Sequence, residues 1–177
     1  MALFTGKGDG GTTKVFGCDQ QRISKSSELP EALGTLDELN SFLGLAKVKA
    51  DRETAATLRD VQEALFIVQA EAAGADKRVG EERVKVVETL IRAIEKEIPP
   101  MISFSIAGGT ELSALLDVAR TLARRAERRL IGVHDAKIRE LSAPTRAYMN
   151  RLSSLLFALA RRVNHRAGVK EENPKYQ

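Results

Sequence analysis

Apolar residues recur at three- and four-residue steps in five separate stretches of the chain, a spacing typical of amphipathic helices. Asp51 can cap one helix and Gly74 can end it, while Pro99 and Pro100 must stop another because neither donates the next backbone hydrogen bond. The pattern therefore predicts an all-α fold. The five predicted helices cover about residues 30–50, 51–74, 80–98, 111–131 and 144–163.

The segments outside the helices divide the chain into three parts. Residues 1–26 form a glycine-rich arm without apolar periodicity, which we interpret as an ordered loop or a ligand-dependent segment. Residues 27–168 form one helical bundle, and the charged tail at 169–177 is expected to fray unless a partner holds it. We expect a single domain spanning residues 1–177.

Composition supports this interpretation. With 177 residues, of which 43% are apolar and 5% aromatic, the chain can bury one core of packed helices. No apolar run approaches the roughly 20 residues that cross a bilayer, and the lone Cys18 cannot form an intramolecular disulfide. The N-terminus lacks the apolar core of a signal peptide, so we expect a cytoplasmic protein without a membrane partner.

Five arginines crowd the fourth predicted helix, although the formal net charge is only +4. An exposed basic face explains such a run, but the alanines at 119, 123 and 126 allow close approach of another helix. That helix could come from a second subunit, and guanidinium groups held there could bind phosphate or carboxylate. The cluster contains Arg120, Arg124, Arg125, Arg128 and Arg129, with Glu127 among them.

The glycine-rich arm could wrap phosphates, since glycines let several backbone N–H groups point inward while Lys7 and Lys14 add charge. It does not match the Walker A pattern, and a flexible arm remains the alternative. Asp37 or Glu38 could pair with an arginine of the fourth helix or lie on a polar edge.

Asn150, Arg151 and Ser154 form a comparable edge on the fifth helix. His134 and His165 lack the partners of a metal or triad site, and we interpret both as structural. Two other classes of function stay open from the residues alone, namely a basic helical module that binds nucleic acid and a structural scaffold.

Five short motifs, taken in order, resemble those of the PduO-type cobalamin adenosyltransferases. The resemblance spans roughly residues 4–165, and the ordered combination is far more specific than any single motif. The motifs are Thr5-Gly6-Lys7-Gly8-Asp9-Gly10-Gly11-Thr12-Thr13, Gly34-Thr35-Leu36-Asp37-Glu38-Leu39-Asn40-Ser41, Gly108-Gly109-Thr110, residues 119–128 around Arg124 and Glu127, and Asn150-Arg151-Leu152-Ser153.

The resemblance implies a single-domain five-helix bundle of the ferritin-like or cobalamin adenosyltransferase-like type, assembled as a homotrimer. It implies that ATP, accompanied by Mg²⁺, and a corrinoid such as cobalamin meet at each subunit interface. The expected reaction transfers the 5′-deoxyadenosyl group of ATP to cob(I)alamin and releases triphosphate. An external reductase and an adenosylcobalamin-dependent acceptor enzyme are the implied partners.

Site residues also follow from the resemblance. Phe104 matches an aromatic residue on the lower axial side of the corrin, and Asp37 and Arg120 resemble an ion pair across the interface. Mg²⁺ would be held mainly by ATP rather than by protein side chains. The implied ATP contacts are Thr5, Gly6, Lys7, Gly8, Asp9, Gly11, Thr12, Thr13, Lys25, Arg124, Glu127, Arg128 and Asn150.

The chain departs from the family pattern at several positions. Where the family often has Thr-Arg-Thr-Gly-Asp, this chain has Thr5-Gly6-Lys7-Gly8-Asp9, so Gly6 stands at the position of the Arg and Lys7 could replace its charge. Ala107 replaces a proline before the two glycines. Asp117 stands where a His is common, and Ser154 where many members carry Asp. These differences bear on the affinity for the corrinoid more than on the class of reaction.

Overall fold

The computed structural model describes residues 3–16 and 21–176 and contains five α-helices and one small hairpin. Cys18 lies outside the described residues. The helices are α1 (Glu28–Val48), α2 (Arg52–Ala73), α3 (Glu81–Glu97), α4 (Glu111–Asp135) and α5 (Ala143–Arg166). The all-α prediction is confirmed.

Local capping explains where the helices begin and end. The Asp51 carboxylate accepts the backbone N–H of Thr54 at 2.9 Å and caps α2, and Gly74 ends it with φ +99°. Thr110 caps α4 in the same way through the N–H of Ser113, at 3.1 Å. These side chains satisfy donors that the first turn of a helix leaves without an intrahelical partner.

The core lies between α4 and its two neighbours, α1 and α5, while α2 packs on α1 and α3 packs on α5. Leucines at the predicted helical spacing fill it, including Leu36, Leu39 and Leu43 of α1 and Leu152 and Leu155 of α5, all fully buried. Each such side chain contributes about 1.5–3 kcal/mol by leaving water, so burial of the apolar stripes is the main favourable contribution to the bundle.

The structure differs from the sequence-based prediction in the first and fourth helices and in the arm. The first helix lies two residues earlier than predicted, and α4 continues one turn beyond residue 131. The arm contains a hairpin, β1 (Thr12–Lys14) paired antiparallel with β2 (Arg22–Ser24), which the glycine content concealed. The tail contacts the loop before α4, with Ile106 N donating to Glu172 O at 2.8 Å.

The alanine face of α4 also has a different partner from the one expected. Ala119, Ala123 and Ala126 are fully buried within the chain, where α1 and α5 cover α4. The close approach that small residues permit is therefore intramolecular, and these alanines give no evidence of a subunit interface.

Across the described helices, none combines the length and the apolar character that a membrane span needs.

Candidate functional site

The glycine-rich arm forms a series of tight turns next to the hairpin. Asp9 N donates to Gly6 O at 3.2 Å, Gly11 N to Gly8 O at 3.1 Å and Lys25 N to Gly11 O at 2.9 Å. Gly6 and Gly11 adopt φ +64° and +75°, which other residues rarely tolerate. The described residues of the arm thus adopt defined turns joined by backbone hydrogen bonds.

Two basic side chains lie against these turns. A Cβ added to Gly8 would come within 3.0 Å of Lys25 Nζ, so the ammonium group sits directly over the glycine backbone. Arg22 donates from Nε to Thr12 Oγ1 at 2.8 Å and from Nη2 to Thr12 O at 2.6 Å. Arg22 belongs to no motif or apolar pattern that would identify it as a site residue from the sequence. Together the two cations give the turns a positive potential suited to an anion.

The basic face of α4 separates into paired and unpaired arginines. Arg125 bonds Glu38 of α1, which confirms that a carboxylate of the first helix pairs with an arginine of the fourth. Arg129 lies 3.6 Å from Glu31. Arg124 and Arg128 are exposed and have no ion-pair partner within residues 3–16 and 21–176. These two guanidinium groups are therefore available to an external anion.

A polar chain runs beside Arg124 and Arg128 from α4 to α3. Asn150 Nδ2 donates to Glu127 Oε1 at 2.9 Å, and Arg151 Nη1 donates to Asn150 Oδ1 at 2.6 Å. Arg151 Nε then donates to Glu88 Oε1 at 3.1 Å. The structure thus brings Glu127 and Asn150 together, and this series of hydrogen bonds fixes the orientation of both side chains towards a ligand.

Arg120 occupies a different environment, one turn before Arg124. Its Nε is 3.7 Å from Asp117 Oδ1, and its guanidinium lies 5.8 Å from the centre of the Phe157 ring. Asp117 Oδ2 also accepts Gly108 N at 3.3 Å. Asp117, a departure from the family pattern, therefore links Arg120 to the glycine turn before α4. Asp37 is exposed and forms no ion pair with any residue that the structure describes.

Phe104 lies in the loop that joins α3 to α4, and its side chain is 74% exposed. The loop borders a cleft lined by residues 105–109, Asp117, Phe157 and tail residues 169–172. An apolar ring this exposed makes no contribution to the bundle core, so packing of the ring does not explain its position.

The glycine turn before α4 depends on Asn164, a buried residue of α5 that the sequence analysis missed. Asn164 Oδ1 accepts Thr110 N at 3.0 Å, and Nδ2 donates to Gly108 O at 2.7 Å. Gly108 and Gly109 adopt φ +124° and +107°, so the sequence needs glycine at both positions. A Cβ on Gly109 would lie 2.5 Å from Asn164 Oδ1. Asn164 lies directly after the predicted end of the fifth helix at residue 163, where nothing in the local pattern indicates this contact.

The arm and the α4 group make no direct polar contact with each other within the described residues of one chain. Within the described ranges, no hydrogen bond or ion pair joins Thr5, Lys7 or Asp9 to Arg124, Glu127, Arg128 or Asn150. The arm packs on the bundle through Val15 and Ile23. The predicted ATP contacts therefore form two groups, each preorganised on its own.

Shifted pKa values mark a different cluster, at the ends of α2, α3 and α5. A hydrogen bond from Arg166 lowers the pKa values of Glu53 and Glu97, and the backbone N–H of Thr54 lowers that of Asp51. Burial raises the pKa of Tyr148 in the core. His134 has a structural role, since its Nδ1 accepts Leu141 N at 3.1 Å. In the part of the chain described, no three His, Cys, Asp or Glu residues cluster as metal ligands would.

The chain is similar to proteins of one family. A family model described as "Cobalamin adenosyltransferase" matches residues 3–163. A corrinoid adenosyltransferase from Bacillus subtilis is 38% identical over 96% of this chain and 90% of its own length. The corrinoid adenosyltransferase PduO from Salmonella typhimurium is 37% identical over 99% of this chain, which spans 54% of that longer protein.

A solved structure gives the same result. It is a variant of a PduO-type ATP:corrinoid adenosyltransferase from Lactobacillus reuteri, complexed with cobalamin and ATP. It superposes with a TM-score of 0.89 at 26% identity and covers 99% of this chain and 100% of its own. The ordered motifs, the five-helix bundle and these similarities agree, and the chain belongs to the cobalamin adenosyltransferase family.

Proposed function

We propose that this protein transfers the 5′-deoxyadenosyl group of ATP to cob(I)alamin, giving adenosylcobalamin and triphosphate. The observation in the structure that supports this most is the pair of exposed guanidinium groups, Arg124 and Arg128, beside the ordered Glu127–Asn150 contact. Like-charged groups left without carboxylate partners suit a polyphosphate ligand. The Lactobacillus reuteri relative is complexed with ATP and cobalamin, the two substrates that this reaction needs.

The ATP site would combine the two preorganised groups. Arm residues 5–13 supply backbone N–H groups and Thr hydroxyls, and Lys25 adds a charge over Gly8. Arg124 and Arg128 bind the triphosphate, while Glu127 and Asn150 contact the nucleoside side of the site. Mg²⁺ enters with ATP and is held mainly by phosphate oxygens, which suit its preference for hard ligands.

The reaction does not need a general acid or a general base. The Co(I) electron pair attacks C5′ of the ribose, the Co–C bond forms, and the C5′–O bond breaks with its electrons leaving on triphosphate. Co(I) becomes formally Co(III), and no proton moves at the reacting carbon. The protein therefore contributes by aligning cobalt with C5′ and by neutralising the departing triphosphate.

Formation of Co(I) is the step in which Phe104 would act. Its ring extends from the loop beside the cleft and could occupy the lower axial side of the corrin. Exclusion of the dimethylbenzimidazole base and water makes Co(II) easier to reduce, because a lower ligand stabilises the oxidised state. The electron comes from an external reductase, and the product passes to an adenosylcobalamin-dependent enzyme.

We propose a homotrimer, in which the arm of one subunit meets the α4 group of its neighbour. Support comes from the separation of these groups in one chain and from Asp37, which is exposed and could reach Arg120 of the next subunit. Because Asp117 lies near Arg120 within the chain, that ion pair would form in competition with Asp117. The single cysteine is typical of a reducing compartment, and we propose a cytoplasmic location.

The nucleic-acid module and the structural scaffold are not favoured, since neither explains the arm and the glycine turn together. Titration of ATP, with and without reduced cobalamin, separates the three functions. An adenosyltransferase binds ATP with saturation and binds it together with cobalamin. A nucleic-acid module binds duplex DNA or RNA with steep salt dependence instead, and a scaffold binds none of these ligands.

A further inference from the structure

Arg161 of α5 joins two segments that are distant in sequence. Its Nε donates to Glu171 Oε1 at 2.5 Å and its Nη2 donates to Glu171 Oε2 at 3.1 Å, so the guanidinium forms a bidentate contact with a carboxylate of the tail. Nη2 also donates to Pro99 O at 2.9 Å, at the start of the loop before α4. The Arg161 side chain is 12% exposed and the Glu171 side chain 30%, so the arginine side of the contact is largely buried while the carboxylate is partly open to solvent. Bidentate contacts between an arginine and a carboxylate are stronger and more directional than single hydrogen bonds.

The tail residues that follow Glu171 bond the loop around Phe104 on both sides. Ile106 N donates to Glu172 O at 2.8 Å, and Asn173 Nδ2 donates to Phe104 O at 2.9 Å. Asn173 also bonds the Ser103 hydroxyl. Three consecutive tail residues thus hold Arg161, Ile106 and Phe104 in turn.

The Phe104 ring has little packing of its own to fix it, given its exposure. Its position must come from the backbone, which the tail holds at Phe104 O and Ile106 N and which Arg161 holds at Pro99 O. The tail in turn has no helix or strand to order it, and α5 holds it at two points, through Val169 N, which donates to Asn164 O at 2.9 Å, and through the Arg161–Glu171 contact. Only the second point adjoins residues 172 and 173, so loss of the Arg161–Glu171 contact would weaken both anchors of the loop.

We propose that Arg161 is a positioning residue, which orders tail residues 171–173 against the loop and so holds Phe104 at the place where it acts on the corrinoid. The inference rests on the proposed function and extends it to a residue outside the nucleotide and corrin contacts. Arg161 acts through Phe104, so its contribution falls on the reduction of Co(II) and not on ATP binding.

The test compares Arg161→Lys and Glu171→Gln with Arg166→Lys. Arg166 is a matched control on the same helix. Its Nε donates to Glu97 Oε1 at 2.5 Å and its Nη2 donates to Glu97 Oε2 at 3.0 Å, which is the same kind of bidentate contact, but Arg166 bonds neither the tail nor the loop. We expect Arg161→Lys to lose about tenfold or more in activity when cob(II)alamin is reduced on the enzyme. With chemically prereduced cob(I)alamin the loss should be less than about threefold, and the Kd for ATP should not change.

A second measurement does not need activity. Hydrogen exchange at the Ile106 amide, whose acceptor is Glu172 O, should accelerate at least about tenfold in Arg161→Lys and Glu171→Gln and stay unchanged in Arg166→Lys. Unchanged exchange in Arg161→Lys, or equal losses in the two activity assays, would overturn the proposal. An inactive wild-type protein would instead contradict the proposed function, while the exchange data would still decide whether Arg161 orders the loop.

Discussion

Gly109→Ala is expected to destabilise the turn before α4 by two separable effects. The φ of +107° imposes strain on any residue with a Cβ, which costs on the order of 1–3 kcal/mol. The new Cβ would also lie 2.5 Å from Asn164 Oδ1 and 2.6 Å from Nδ2, so the amide must withdraw. Loss of its bonds to Thr110 N and Gly108 O adds about 0.5–1.5 kcal/mol each, giving a total of about 2–6 kcal/mol.

Urea unfolding at fixed protein concentration measures this cost, and two other glycines provide controls. Gly108 has φ +124° but open space around it, so Gly108→Ala should lower the free energy of unfolding by the backbone strain alone. Gly132 lies inside α4 with open space around it, and Gly132→Ala should stabilise by about 0.5–1 kcal/mol. In an Asn164→Ala background, the added cost of Gly109→Ala should fall towards that of Gly108→Ala. Equal costs for Gly109→Ala and Gly108→Ala in the wild-type background would refute the role of Asn164.

Three further outcomes are expected. Arg124→Lys should lower kcat/KM roughly tenfold or more in steady-state kinetics, whereas Lys137→Ala, in an exposed turn, should not; equal kinetics would remove Arg124 from the site. Phe104→Ala should lose most activity when reduction occurs on the enzyme and keep much more with prereduced cob(I)alamin; equal losses with a lower Tm would make it a packing anchor. The hydrogen bond from Arg166 holds the pKa of Glu53 below its ordinary value of 4.5. The ionised Glu53 therefore stabilises the folded state above pH 4.5, and this contribution is lost as the pH falls through the lowered pKa of the folded state. Glu53→Gln should flatten acid unfolding below pH 4.5, and an unchanged profile would contradict this.

Local signals in the sequence predicted the helices well. Asp51 and Gly74 were identified as the ends of a helix because a cap depends on neighbouring residues alone. The end of α4 was placed too early because Gly132, directly after residue 131, resembles a helix stop, whereas the helix continues through it to Asp135 and its C-cap is Ala136. The hairpin was missed because strands of three residues among glycines show no periodicity.

The site was only partly predictable, since its supporting contacts join distant parts of the chain. Arg161 bonds Pro99 across 62 positions and Asn164 bonds Gly108 across 56, and on a helical pattern both residues resemble an ordinary polar edge. The sequence predicts, as one of two alternatives, that Asp37 or Glu38 pairs with an arginine of the fourth helix, and the structure shows that the pair is Glu38 and Arg125. The alanines of α4 were assigned to the wrong partner because small residues indicate close approach without identifying the helix that approaches.

The most direct test of the central claim is the identity of the phosphate product. The purified protein is incubated with ATP, Mg²⁺ and chemically reduced cob(I)alamin, and the products are separated by ion-exchange chromatography while adenosylcobalamin is followed by its absorbance. We predict one intact triphosphate for each adenosylcobalamin formed, because the C5′–O bond breaks and the phosphoanhydride bonds do not. Release of ADP or pyrophosphate, or formation of triphosphate without adenosylcobalamin, would contradict the proposed adenosyl transfer.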